Sequence, residues 1–285
     1  MKTPISYYGG KQNLLSEILP LIPEHKIYVE PFFGGGAVFF AKAPAPTSVI
    51  NDTNDWAITF YRQCKENFSA LHAKINGTLH SESEYRKARE ILKNSPEYTP
   101  LDIAWAFWVQ TNLSFANGIF KGFAFSLTKR EAKATQTRIN RFAQEINTRL
   151  QNAVIFSRDA LDIIQRYDTP ETFYYLDPPY ISSHCGHYAG TWDNDKQNEL
   201  LELLPNLKGK YLLSGYPQDL PTLAGAERKE LTKTLNVSGK RTIGKTKTET
   251  LIYNYTNAPT LFEPTPNHNG KHRNQHQDSP NYIFF

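Results

Sequence analysis

The chain has 285 residues, 39% of them hydrophobic, and a formal charge of +4, so it can bury a sizeable core, and its overall charge does not by itself mark a nucleic-acid binder. Two cysteines, Cys64 and Cys185, are too few for a disulfide framework and point to a reducing cytoplasm. No charged-then-apolar leader pattern and no run of roughly eighteen apolar residues occurs, so neither secretion nor a membrane span is expected.

In chain order, Tyr7-Tyr8-Gly9-Gly10-Lys11 runs into an amphipathic helix through Leu14, Leu15, Ile18 and Leu19. A lysine at a helix amino terminus faces the unfavourable end of the macrodipole, and an anionic partner such as the carboxylate of a bound amino-acid moiety would resolve the conflict. A solvated lysine after a Gly-Gly turn is the other reading. Residues 26–30 then read as a strand, followed by Pro31-Phe32-Phe33-Gly34-Gly35-Gly36 and the apolar stretch 37–41. Glycines between strand and helix let a ligand approach the backbone, and free helix N–H groups lie beyond. The dinucleotide spacing Gly-x-Gly-x-x-Gly fails at position 39. A second short strand, 48–50, ends in Asn51-Asp52-Thr53-Asn54. Asp52 thus falls roughly twenty residues after the glycine loop, where such folds hydrogen-bond a ribose. A helix N-cap or turn is its other role.

Residues 82–109 predict two helices, the second built on Ile103, Ala104, Trp105, Phe107 and Trp108 as core. Phe115, Ile119, Phe120, Phe123 and Phe125 then flank Asn117-Gly118, a strong hairpin-turn dipeptide. From 121 to 149 there are seven basic residues against two acidic ones, a stretch able to track phosphates. A hairpin of aromatics beside a basic helix suits a module that enters DNA and props open the gap left by a flipped base. Asn117, Lys121, Lys129, Arg130 and Arg138 are its candidate DNA contacts. Against this stands the reading of the aromatics as the small lobe's own core and of the charges as a solvated face.

Residues 154–159 lead to Asp159, the N-cap of a helix beginning at Ala160 or a group near a ligand. The apolar run 173–176 reads as a buried strand, and Asp177-Pro178-Pro179-Tyr180 follows where its carboxyl end opens into a crevice. This tetrapeptide suits chemistry on the exocyclic amine of a nucleobase. Such an amine is a poor nucleophile because its lone pair is delocalised into the ring. Acceptors on its two N–H groups localise that pair. Asp177 supplies one and the Pro178 carbonyl the other, held stiffly because neither proline donates an N–H. Tyr180 offers a face for an extruded base. A strand simply stopping at a Pro-Pro turn is the alternative.

Residues 181–192 read as a loop covering that base, with Tyr188 as a contact, before a helix near Asp193. Two late strands, 230–237 and 250–255, enclose the basic loop 240–247, in which Lys245 is a candidate phosphate contact. His184-Cys185-Gly186-His187 is too crowded for a metal site. The Pro-, Asn- and Gln-rich segment 264–281, with His268, His272 and His276, reads as disorder.

Taken in order, the Gly-Gly-Lys element, the Glu-Pro-Phe-x-Gly-x-Gly loop, the acidic residue after the second strand and Asp-Pro-Pro-Tyr resemble the Dam-like, alpha-ordered DNA adenine-N6 methyltransferases, over roughly residues 4 to 256. The loop here is slightly more glycine-rich than that family's pattern. The resemblance implies an α/β fold: a Rossmann-like S-adenosylmethionine-dependent methyltransferase sheet (1–60 and 151–258) with a smaller, mainly helical target-recognition lobe (61–150) and a polar tail (259–285). It implies S-adenosyl-L-methionine as cofactor, contacted by Tyr7 and Lys11, lined at its methionine end by Phe32, Gly34 and Gly36, held at its ribose by Asp52 and near its adenine by Asp159. Asp177, with Pro178 and Tyr180, would stand between cofactor and base. The implied partners are double-stranded DNA and a cognate restriction endonuclease, with no metal required, in a cytoplasmic, nucleoid-associated protein of bacterial or phage type that is a monomer or weak dimer. Cytosine-N4 or RNA adenine methylation with the same residues, and a catalytically silent DNA-binding relative, are the competing readings. The aspartate at 177 leans toward adenine, since cytosine-N4 enzymes more often carry serine there.

Overall fold

The structure, a computed structural model, describes residues 1–7, 9–115, 118–125, 130–182, 192–234 and 246–256. Among these residues seven strands form one sheet: β1 (Ile27–Glu30), β2 (Thr47–Asn51), β3 (Ala153–Phe156), β4 (Thr172–Leu176), β5 (Lys210–Gly215), β6 (Glu227–Thr234) and β7 (Thr246–Tyr253). Their spatial order is β3-β2-β1-β4-β5-β7-β6. The first five run parallel, and β7 pairs antiparallel with both β5 and β6. The helices are α1 (Leu15–Ile18), α2 (Ala37–Ala41), α3 (Asp55–Glu66), α4 (Phe68–Asn76), α5 (Glu82–Lys93), α6 (Pro100–Leu113), α7 (Arg130–Arg141), α8 (Gln144–Leu150), α9 (Ala160–Arg166) and α10 (Asn194–Leu203). The result is the Rossmann-like α/β sheet that the family resemblance implies.

Alternation along each strand decides which helices cover which face. In β4, Phe173 and Tyr175 enter the core shared with α2 to α8, while Tyr174 and Leu176 enter the core shared with α9 and α10. Both faces are buried, as parallel strands under crossover helices require. Helix starts follow local chemistry. Asn54 accepts from the N–H groups of Trp56 and Ala57, Ser81 from Glu84, Thr99 from Asp102 and Asp193 from Lys196, each satisfying donors that the first turn leaves open.

Residues 68–150, inserted between β2 and β3, form α4 to α8 and pack through α3 onto the sheet. The Phe60 ring of α3 lies 6.1 Å from Phe107 and 6.0 Å from Phe142, so helices and sheet share one continuous core on that face.

Two expectations change. The helix predicted from Lys11 breaks into a 3-10 turn, Lys11–Asn13, then α1, then a second 3-10 turn, Leu19–Leu21. Leu14 sits at φ −110° and ψ 0°, away from ideal helical geometry, and Pro20 offers no N–H to carry the helix on. Leu14, Ile18 and Leu21 are nevertheless buried, so the apolar stripe is used without a continuous helix. Among the described residues the hairpin predicted about Asn117-Gly118 is reduced to one isolated antiparallel bridge, Ser114 to Phe123. Phe120 there takes the left-handed φ of +64°, held by its N–H donating to Gln110 Oε1 at 3.1 Å. Among the described residues no helix is long and apolar enough to cross a membrane.

Candidate active site

The chain leaves β1 toward β2 on one side and comes back through β4 on the other, so a crevice opens at the carboxyl ends of these strands. A cavity of about 350 Å³ lies there, within the roughly 300–1,000 Å³ of small-molecule sites. It gathers every predicted cofactor-binding and catalytic residue: Tyr7 and Lys11, the loop with Phe32, Gly34 and Gly36, then Asp52, Asp159, Asp177, Pro178 and Tyr180.

At one end lies the glycine loop. Gly34 (φ +47°) and Gly36 (φ +65°) adopt left-handed backbone, and a Cβ on Gly36 would stand 2.5 Å from Phe33 Cζ. A Cβ on Gly35 would come 3.0 Å from Tyr7 Cβ, so the missing side chains are what let Tyr7 close over the loop. The buried Asp52 carboxylate accepts from the N–H of Gly34 at 2.7 Å and of Asn54 at 2.9 Å. Burial pushes its pKa up, and these backbone hydrogen bonds oppose the shift. Asp52 therefore shapes the loop while bordering the cavity. Asp159 caps α9 through the Leu161 N–H at 2.8 Å, forms an ion pair with Lys196 at 3.1 Å, and also reaches the cavity wall. Phe32 meets Trp192 edge to face, with centroids 4.9 Å apart.

At the other end Lys11 Nζ lies 2.7 Å from Asp177 Oδ1 and 2.8 Å from Oδ2. The lysine side chain is only 5% exposed and the aspartate 19%. Ser214 Oγ, buried on β5, donates to Asp177 Oδ1 at 2.9 Å. Tyr180 Oη donates to Glu249 Oε2 on β7 at 2.6 Å, and its ring meets Tyr216 edge to face at 4.4 Å. Glu30, at the end of β1, borders the same cavity and accepts from Tyr28 Oη at 2.6 Å. Burial raises its pKa to about 8, against the opposing Tyr28 hydrogen bond, with nearby Asp177 adding to the rise.

Sequence reasoning did not single out Ser214, Glu249, Glu30, Tyr216 or Trp192. Glu30 stands as the first letter of the Glu-Pro-Phe loop, and Glu249 is a carboxylate at the end of the apolar β7 row Leu251, Tyr253. Ser214 carries no such signal. Its role depends on β5 lying beside β4.

Of the predicted DNA contacts among the described residues, Lys121 and Arg138 do not line this cavity. Lys121 is exposed, while the Arg138 guanidinium donates to the Asn112 carbonyl at the end of α6. Arg130 is the first residue of α7. Asn117, Lys129 and Lys245 lie outside the described residues, as do Tyr188, the 184–187 histidines and the tail. The loop aromatics divide: Ile119, Phe120 and Phe123 pack against the core, whereas Phe115 and Phe125 are 68% and 76% exposed. Among the described residues no cluster of His, Cys, Asp and Glu is placed to hold a metal ion.

The family model described as D12 class N6 adenine-specific DNA methyltransferase matches residues 7–249. The chain is 52% identical over 60 residues to a type II methyltransferase of Lactococcus lactis subsp. cremoris, a match covering 21% of each protein. It is 25% identical over 233 residues to a type II methyltransferase of Methanocaldococcus jannaschii, covering 73% of this chain and 80% of that one. It is also 23% identical over 229 residues to the modification methylase StsI of Streptococcus sanguinis, covering 73% of this chain and 34% of that one. The matched segments thus span about a fifth of the first relative and a third of the last.

Proposed function

The chain belongs to the family of D12 class N6 adenine-specific DNA methyltransferases, and on that premise we propose that its cavity holds S-adenosyl-L-methionine against the glycine loop and receives the exocyclic amine of a flipped adenine beside Asp177. One observation carries the reading. The same cavity is lined by the glycine loop and Asp52 and by Asp177, Tyr180, Tyr216 and Glu249.

The residues present fit the cofactor. Gly34 to Gly36 leave a stretch of backbone without side chains, Tyr7 and Phe32 offer apolar surface, Asp52 and Asp159 suit hydroxyl and amine donors, and Lys11 suits a carboxylate. When bound, S-adenosylmethionine supplies a methyl group activated by the positive charge on sulfur. The protein's part is to place and polarise the amine. Asp177 accepts one amine N–H and the Pro178 carbonyl the other, which draws the nitrogen lone pair out of the ring. Ser214, fixed on Oδ1, keeps the Asp177 carboxylate from rotating away. Tyr180 gives the base a face to stack on once it has left the duplex. Positioning of this kind can remove a large part of the barrier in such transfers. The methylated nitrogen is cationic and releases its proton easily, so Asp177 acts first as an orienting acceptor.

For DNA itself, the lysines and arginines of residues 121–141, among them the exposed Lys121, Lys133 and Arg141, supply phosphate contacts, and the loop bearing Phe115 and Phe125 enters the duplex. The relatives' type II designations lead us to extend the proposal to a cognate restriction endonuclease as functional partner. The test is to incubate the protein with mixed-sequence double-stranded DNA and methyl-labelled S-adenosylmethionine, digest to nucleosides and weigh the labelled product. Label in N6-methyldeoxyadenosine is expected. Label only in N4-methyldeoxycytidine, or none in DNA, overturns the reading.

A further inference from the structure

We propose that Glu249 is a positioning residue for the target base: through its hydrogen bond to Tyr180 it fixes the plane of the ring on which the flipped adenine stacks. The inference rests on the reading of the cavity given above.

Along β7 the side chains alternate between two cores, Leu251 and Tyr253 on one face and Ile252 on the other. Position 249 belongs to the row of Leu251 and Tyr253, and its carboxylate is only 7% exposed. Burying a carboxylate is unfavourable unless donors meet it, and Tyr180 Oη does so at 2.6 Å. The partner strand explains the reach: Thr250 pairs with Gly215 in β5, which brings Glu249 alongside Tyr216 and the mouth of the cavity.

The Tyr180 ring is thereby gripped at separate points. Its hydroxyl is tied to Glu249, its side meets Tyr216 at 4.4 Å and 66° between planes, and Lys11 Nζ stands 4.8 Å from its centroid while bonded to Asp177. The second side-chain torsion of a tyrosine has a broad minimum. Packing alone therefore lets the ring rock, and a hydrogen bond from its far end to a sheet strand stops that motion. The hydroxyl stays a donor at all working pH values, because burial and the neighbouring Asp177 and Glu249 carboxylates hold its pKa far above the ordinary tyrosine value. A stacking face set before the base arrives spares the ordering cost on binding.

The test compares the wild type with Glu249→Ala, Glu249→Gln, Tyr180→Phe and the double variant Tyr180→Phe/Glu249→Ala, measuring single-turnover methyl transfer to DNA and equilibrium S-adenosylmethionine affinity. Loss of a hydrogen bond to a charged acceptor should slow Glu249→Ala about tenfold or more while cofactor affinity stays within about twofold. Glu249→Gln, whose amide oxygen still accepts from Tyr180, should recover to within about threefold of the wild type, and Glu249→Ala should cost nothing further once the Tyr180 hydroxyl is gone. A wild-type rate for Glu249→Ala, or the same loss with and without the hydroxyl, overturns the inference. Should Glu249→Ala not fold, Tyr180→Phe and Glu249→Gln decide: a slow phenylalanine variant beside an active glutamine variant supports the role, and the reverse pattern removes it. A wild-type protein that methylates no DNA overturns the functional reading, and this inference with it.

Discussion

Lys11 and Asp177 stand 166 residues apart in the chain, and the lysine ammonium lies within 2.8 Å of both oxygens of the aspartate. Ser214 also donates to Oδ1, whereas among the described residues Oδ2 is met by Lys11, and a carboxylate oxygen can accept a second donor. On the proposed reading Oδ2 is therefore the atom open to an amine N–H.

Asp177→Ala is expected to abolish methyl transfer while DNA affinity stays within a few-fold. It also strands a buried ammonium. Stability should fall, by somewhat less than the roughly 3–5 kcal/mol of a fully buried pair, because Asp177 is 19% exposed, and the melting temperature with it. Adding Lys11→Met should restore the melting temperature without restoring activity. Thermal melts and labelled-methyl assays on both variants check this, and an active Asp177→Ala would sink the role assigned to the carboxylate.

Gly36→Ala places a side chain at φ +65° and a Cβ 2.5 Å from Phe33 Cζ. Left-handed backbone alone costs an L-residue about 1–2 kcal/mol, and Phe33 must also shift within the core. Calorimetric titration should show S-adenosylmethionine binding weakened together with a lower melting temperature. Unaltered binding would take the cofactor away from this loop.

Glu30 makes stability depend on pH. Its ordinary value is 4.5, and burial raises it to about 8. Below about pH 4.5 the carboxyl is protonated in both the folded and the unfolded chain. Between there and about 8 the unfolded chain has released the proton and the folded chain keeps it, so stability falls as pH rises. Asp52, also raised by burial, adds a slope of the same sign. Lys42, lowered by burial to about 8, acts with the opposite sign and only above that pH. Glu30→Gln mimics the protonated acid, so near pH 8 it should be more stable than the wild type, and the gain should vanish toward pH 4.5. Melting curves for the two proteins that run parallel across this window would remove Glu30 as the cause.

Basic residues of the helical region should separate into two classes. Replacing Lys129 and Arg130 by alanine is expected to weaken DNA binding and lower the salt slope by up to about 0.9 for each phosphate no longer neutralised. Arg138→Ala should act mainly on the fold, since its guanidinium donates to the Asn112 carbonyl at the end of α6. Binding isotherms at several salt concentrations, with melts alongside, distinguish the classes. An unchanged slope for the Lys129 and Arg130 variant would return that stretch to a solvated surface.

Much of the site was legible in the chain because its pieces are local. An apolar run ending in Asp177-Pro178-Pro179-Tyr180, a strand ending in glycines, and a strand ending in Asp52 each carry their own signal within a few residues, and parallel strands deliver such ends to one edge of the sheet. The sequence by itself, through these motifs and the family resemblance they carry, therefore determined the fold class and pointed to Tyr7, Lys11, Phe32, Gly34, Gly36, Asp52, Asp159, Asp177, Pro178 and Tyr180, which the structure gathers around one cavity. The broken helix at 11–21 was less legible, since burial of Lys11 against Asp177 is a long-range contact that periodicity does not contain. Tertiary structure alone decided what those residues touch. β7 inserts antiparallel between β5 and β6, and only that order sets Glu249 against Tyr180 and places Ser214, on the strand beside β4, under Asp177. Strand order is fixed by burying both faces of the sheet at once, a property of the whole chain that no single segment can express.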